Sequence, residues 1–130
     1  METPETAREV QRTAMSHSYA ALFPVVQVLF MQLSSMTHIW QQSQGFWESD
    51  NIGEKVALIH SELSEFLEYH RKGDPESDHI PGLPGCSEEL ADVVIRVFDL
   101  AAHLGINLGD AIIAKSQFNL TRPFKHGKAY

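Results

Sequence analysis

Two pairs of acidic residues share the same three-residue spacing: Glu62 with Glu65 in "ALIHSELSEFLE", and Glu89 with Asp92 in "EELADVVIRVFDLA". Residues three apart on a helix project from one face, so each pair would present two carboxylates side by side. The chain has 17 acids in 130 residues, and about two such pairs arise by chance at that density, so spacing alone decides little. Their company is more informative. Glu62 and Glu65 fall in the helical arc that carries Leu58, Ile59, Phe66 and Tyr69, whereas Glu54, Ser61, Ser64 and Glu68 take the opposite side. Glu89 and Asp92 head a polar stripe that continues through Arg96, Asp99 and His103 on a helix that is otherwise apolar. A carboxylate on a core-facing arc needs a cation, a metal or an extra proton to offset its desolvation. Four of them converging between two helices would form a hard oxygen site suited to Mg²⁺ or Mn²⁺. The alternative is a buried salt-bridge network with Arg96, Lys55 or His103.

The elements that must position these residues are helices. Pro24 suits a first helical turn, and the pattern from there predicts a helix to Gly45. After the connection "GFWESDNIG", a second helix is expected over "EKVALIHSELSEFLEYHRKG", stopped by Gly73 and Asp74-Pro75. Residues 73 to 86 contain three prolines and three glycines and read as a loop. Ser87 is placed to cap a third helix that ends at Gly105, and Asn107 with Asp110 to cap a fourth that ends before Pro123. Glu65 and Glu89 are 24 positions apart, so the second and third helices form a natural antiparallel hairpin. Residues 1 to 20 are expected as an arm, disordered or a short helix, ahead of one helical domain over 21 to 130. No strand alternation or repeat stands out, and the fold class is all-α.

Composition narrows the function. A formal net charge of −7 and a pI near 5.4 disfavour a general nucleic-acid or anionic-membrane binder and favour cations as ligands. Cys86 is the only cysteine, which excludes an intramolecular disulfide and fits a reducing cytoplasm. With no histidine in a recognisable partnering position, Cys86 is expected to be inert. The opening "METPETAREVQRTAM" lacks the apolar core of a secretory signal. The run Tyr19 to Leu33 is interrupted by Pro24, Gln27 and Gln32 and falls short of a membrane span. A cytoplasmic location is expected.

Cationic residues gather late in the chain. Lys115, Asn119 and Arg122, spaced by four and three, share a helical face, and Lys125 follows. Acids holding a divalent cation, with cations to neutralise remaining charge, suit a metal-bound polyphosphate. The other reading is a solvated helix end whose cations favour the dipole.

The segments "ALIHSELSEFLE", "EELADVVIRVFDLA" and "KSQFNLTRPFKHGKAY", in this order, resemble the MazG-like nucleotide pyrophosphohydrolases, the all-α group that includes the dimeric dUTPases. The similarity covers roughly residues 24 to 130. It implies a four-to-five-helix bundle assembled as a homodimer or homotetramer. It also implies Mg²⁺ held by Glu62, Glu65, Glu89 and Asp92, and phosphate or sugar contacts from Lys115, Asn119, Arg122 and, more weakly, Lys125. The implied reaction hydrolyses a nucleoside triphosphate to the monophosphate and pyrophosphate, with Glu62 or Glu65 activating water. His38, Trp40, Phe46 and Trp47 are candidates for a base pocket. Arg96 and Asp99 are candidates for orienting the metal ligands. A di-iron carboxylate bundle expects Glu-x-x-His on two helices, and the one such spacing, Glu76 to His79, lies in the loop. A non-catalytic helical interaction module with a structural carboxylate network is the remaining alternative.

Overall fold

In the computed structural model, which describes residues 3–127, Thr3 opens the first helix well before Pro24. Its Oγ1 accepts from the Thr6 N–H at 3.2 Å, and its carbonyl accepts from the Ala7 N–H at 3.1 Å. Pro4 takes the first helical position, where a missing N–H costs nothing, and Glu5 faces the positive end of the dipole. The helix α1 runs Pro4–Ser43. Residues 4 to 20 are therefore its first half, and the expected start at Pro24 is corrected to Pro4. Pro24 sits inside the helix and removes one backbone hydrogen bond. By length and composition α1 could cross a membrane: an 18-residue window has a mean hydropathy of 1.4, and 6% of that window is buried. This differs from the expectation built on residues 19 to 33 because the helix extends well beyond them.

The chain divides into two compact units, one formed by the residues up to Met31 with those from Asn107 onward, the other by Gln32–Ile106. In the first, α4 (Leu108–Leu120) packs on α1. A Cβ on the buried Gly109 would stand 3.1 Å from the Val26 carbonyl oxygen and 3.2 Å from Gln27 Cα, so this approach depends on glycine. Asn107 caps α4 as expected: its Oδ1 accepts from the Asp110 N–H at 3.1 Å and its Nδ2 donates to Asp110 Oδ2 at 2.7 Å. A short 3-10 turn, Phe124–Gly127, follows.

In the second unit, Asn51 caps α2 (Ile52–Arg71) through the Glu54 N–H at 3.1 Å. The helix α3 (Gly85–His103) starts two residues before the expected Ser87 cap. The reason lies upstream. Asp74 Oδ1 accepts from the Cys86 N–H at 2.8 Å, and the Pro75 carbonyl accepts from the Gly85 N–H at 2.9 Å, so the loop caps the helix. The same loop is folded on itself, with a bridge between Glu76 and Pro84 and the Ser77 N–H donating to the Leu83 carbonyl at 2.8 Å. Buried Ser77 donates its hydroxyl to Glu88 and accepts the N–H groups of His79 and Ile80, both at 3.0 Å. The Ser77 hydroxyl holds the Glu88 carboxyl below its usual range against the opposing effect of burial, and His79 adds to it.

Among the described residues, the buried apolar side chains are Phe98, Ala101 and Ile113, while Lys55, Glu62, Glu88, Glu89 and Asp99 are buried charged ones. The second unit is thus organised around polar contacts as much as apolar ones. Its tightest helix contact is at Gly85, where a Cβ would lie 2.0 Å from Tyr69 Cδ1. Gly85→Ala is expected to lower stability by about 1–3 kcal/mol, the usual range for overpacking, as measured by urea denaturation.

Candidate metal centre

Tyr69 meets Gly85 near the loop, and Glu62 meets Arg96 further along, so α2 and α3 run antiparallel as the hairpin reading requires. That arrangement brings Glu62 of α2 together with Glu89 and Asp92 of α3. Each offers a carboxylate oxygen, and the three oxygens lie within 4.8 Å of one another. Glu62 and Glu89 are buried, each 5% exposed, and Asp92 is half-buried. Glu65 is not one of these three, although its charge acts on Glu89. It is exposed, accepts from Ser61 Oγ at 3.4 Å, and with Glu89, Tyr69 and Lys72 lines a cleft of about 400 Å³ against loop residues Pro75 to His79.

The electrostatics follow from the crowding. Burial, a hydrogen bond with Glu62 and the charges of Glu65, Glu62 and Asp92 push the Glu89 carboxyl up to about 7. Burial also raises Asp92, helped by Glu62 and opposed by Arg96. Arg96 Nε donates to Glu62 Oε1 at 2.5 Å, and Nη2 forms an ion pair with the same oxygen at 2.5 Å. Below about pH 7, a proton on Glu89 and the Arg96 guanidinium on Glu62 therefore relieve the repulsion among the three acids. Three converging oxygen acids, two of them buried, fit a hard divalent ion such as Mg²⁺ or Mn²⁺.

A second polar cluster lies in the same unit. Asp99 accepts from Trp47 Nε1 with both oxygens, at 2.9 and 3.0 Å, and pairs with His38 Nδ1 at 2.7 Å. Trp47 stacks on His103 with centroids 3.8 Å apart, and His103 Nε2 pairs with Asp50 at 2.7 Å. Lys55 Nζ sits 4.9 Å from the Trp47 centroid and donates to the Phe46 carbonyl. Of the four base-pocket candidates, His38 and Trp47 come together, with ring centroids 5.3 Å apart. Trp40 and Phe46 are exposed. Asp99, a candidate for orienting metal ligands, makes its hydrogen bonds with His38 and Trp47. His103, Lys55 and Asp50 join the cluster; Lys55 and His103 were signalled as partners of a buried ionic network, His103 also by its place one turn after Asp99, and Asp50 by nothing in the sequence.

Lys115, Asn119, Arg122 and Lys125 belong to the other unit. Lys115 Nζ lies 5.0 Å from the Phe118 centroid. Asn119 is exposed and Arg122 half-buried, its carbonyl accepting from Arg12 Nη2 at 3.4 Å. Lys125 is exposed with φ of +52°. The Cys86 thiol packs toward the Phe66 carbonyl at 3.7 Å, and desolvation raises it above its usual range, away from a reactive thiolate.

The raised Glu89 makes stability depend on pH. Its folded-state value near 7 exceeds the 4.5 of an ordinary glutamate, so the folded chain binds this proton more tightly. Its contribution is full below pH 4.5 and is lost as the pH rises through 7, with a slope of at most about 1.4 kcal/mol per pH unit. Urea denaturation in metal-free buffer is expected to show that decline, and Glu89→Gln to flatten it. Compared with protein-family models, curated proteins and solved structures, the chain matches none.

Proposed function

We propose that this chain is a Mg²⁺-dependent nucleoside triphosphate pyrophosphohydrolase, converting a (d)NTP to the (d)NMP and pyrophosphate in cytoplasmic nucleotide-pool housekeeping. The observation that carries the reading is the meeting of Glu62, from the E-x-x-E segment, with Glu89 and Asp92, from the E-x-x-D segment, in one centre. The sequence resemblance supplies the reaction class and the bond cleaved. When bound, Mg²⁺ supplies neutralisation of phosphate charge and polarisation of the phosphoryl group.

The chain's residues divide the remaining work. Glu62, Glu89 and Asp92 hold the cation. Glu62 is already engaged by Arg96, whereas Glu65 is exposed at the cleft beside Glu89. Glu65 is therefore the better placed of the two catalytic candidates to accept a proton from the attacking water. Lys115, Asn119, Arg122 and Lys125 are assigned to phosphate and sugar by the resemblance alone. Self-association as a homodimer or homotetramer is supported by large apolar side chains left exposed along α1, including Val25, Met31, Met36 and Ile39, and on α3 at Leu90 and Val94.

The Arg96–Glu62 pair favours a second reading, a non-catalytic helical module in which the carboxylates are structural. Product analysis separates the two. Each common nucleoside triphosphate is incubated with protein and Mg²⁺, and the products are resolved by anion exchange. Monophosphate and pyrophosphate are expected, with Glu65→Gln losing at least about 100-fold in kcat while keeping Mg²⁺-dependent thermal stabilisation. Glu89→Gln is expected to lose both. No turnover together with no Mg²⁺-dependent melting shift would establish the structural module instead.

A further inference from the structure

We infer that Arg96 sets the charge of the cation the centre accepts. This rests on the metal-binding reading. Glu62, Glu89 and Asp92 together carry three negative charges when they ligate, one more than a divalent ion neutralises. Arg96 supplies the missing charge from inside the protein: both of its donors meet the same oxygen, Glu62 Oε1, at 2.5 Å, and Glu62 is 5% exposed. The Arg96 side chain is 30% exposed, but it meets Glu62 on a buried oxygen, where mobile counterions, which screen solvent-exposed charge, do not take its place. Its charge is also permanent, unlike that of a histidine or a buried lysine.

The neighbouring acids add to the field on Glu89 and Asp92 but are the same with and without Arg96, so they drop out of the comparison. Glu88 is held by Ser77 and His79, and Glu65 is exposed to solvent. With Arg96 in place, the effective charge at the ligand oxygens is two negative, matched to Mg²⁺ or Mn²⁺. Without it the same oxygens present three, matched to a trivalent ion of similar oxygen preference. Arg96 is thus a positioning and selectivity residue that acts through Glu62.

The experiment compares Mg²⁺ and Tb³⁺ binding to the full chain by calorimetry, with no nucleotide present. In wild type both cations bind, and the ratio of Tb³⁺ to Mg²⁺ affinity is the reference. Arg96→Gln is expected to raise that ratio at least tenfold, and Arg96→Lys, which keeps the charge, to stay within threefold of wild type. An unchanged ratio in Arg96→Gln overturns the inference while leaving the metal centre standing. If neither cation binds wild type, the metal reading itself fails and the inference with it. Should Arg96→Gln not fold, Arg96→Met, which keeps the length of the side chain without its charge, takes its place: the ratio must again rise at least tenfold, and an unchanged ratio overturns the inference.

Discussion

The hydrogen bond and ion pair from Arg96 to Glu62 cross from α3 to α2 where three carboxylates meet, and the hairpin depends on them. Two carboxylates under 5 Å apart repel by roughly 3 kcal/mol at an effective dielectric near 20. Unrelieved, that repulsion would weaken the helix contact at the level of Glu62 and Glu89. Relief comes from the guanidinium on one carboxylate and from a retained proton on another, which is why the Glu89 carboxyl titrates near neutrality. A centre held in this way is compact without a metal and keeps the means to exchange a proton for one. The pairing is therefore compatible with a site as well as with a structural network, and Glu62 belongs to both.

Charge relief at one level of the hairpin is useful only if the helices are fixed in register, and the loop between them does that. Gly85 admits the Tyr69 ring against the first turn of α3. Asp74 reaches forward to cap the Cys86 N–H, while Ser77 and His79 grip Glu88. Glu88 and Glu89 are adjacent, so fastening the first to the loop directs the second toward Glu62. A loop of three prolines and three glycines would otherwise cost little to rearrange; here buried hydrogen bonds specify it.

Periodicity made the all-α class, the hairpin and the acid pairs legible, because helices must bury one face and the acids interrupted that face at regular intervals. Asn107 and Asp110 likewise announced the start of α4. The start of α1 was missed for a physical reason: residues 4 to 20 are good helix formers with little apolar patterning. The informative signals were instead Thr3 as cap and Pro4 at the first position. The start of α3 was misplaced because its cap is Asp74, eleven residues before the helix and invisible to a local rule. The different burial of Glu62 and Glu65 was also illegible. Spacing places two residues on one face but does not say which of them the neighbouring helix covers.

The aromatic cluster shows how a pattern can be right about proximity and silent about occupancy. His38 and Trp47, two of the four base-pocket candidates, come together, but a stack between Trp47 and His103 at 3.8 Å leaves no gap for a third ring. Asp99 takes up the Trp47 N–H and a His38 nitrogen, and Asp50 takes up His103, so the polar edges needed to read a base are already engaged. A buried carboxylate serving two ring donors is costly to strip of either one, because the orphaned groups lose water as well as partner. The cluster is therefore a polar core that fixes the connection between α1 and α2 on α3. Contact with a base would fall to ring surfaces outside that stack, where Trp40 and Phe46 are exposed, or would require the stack to open.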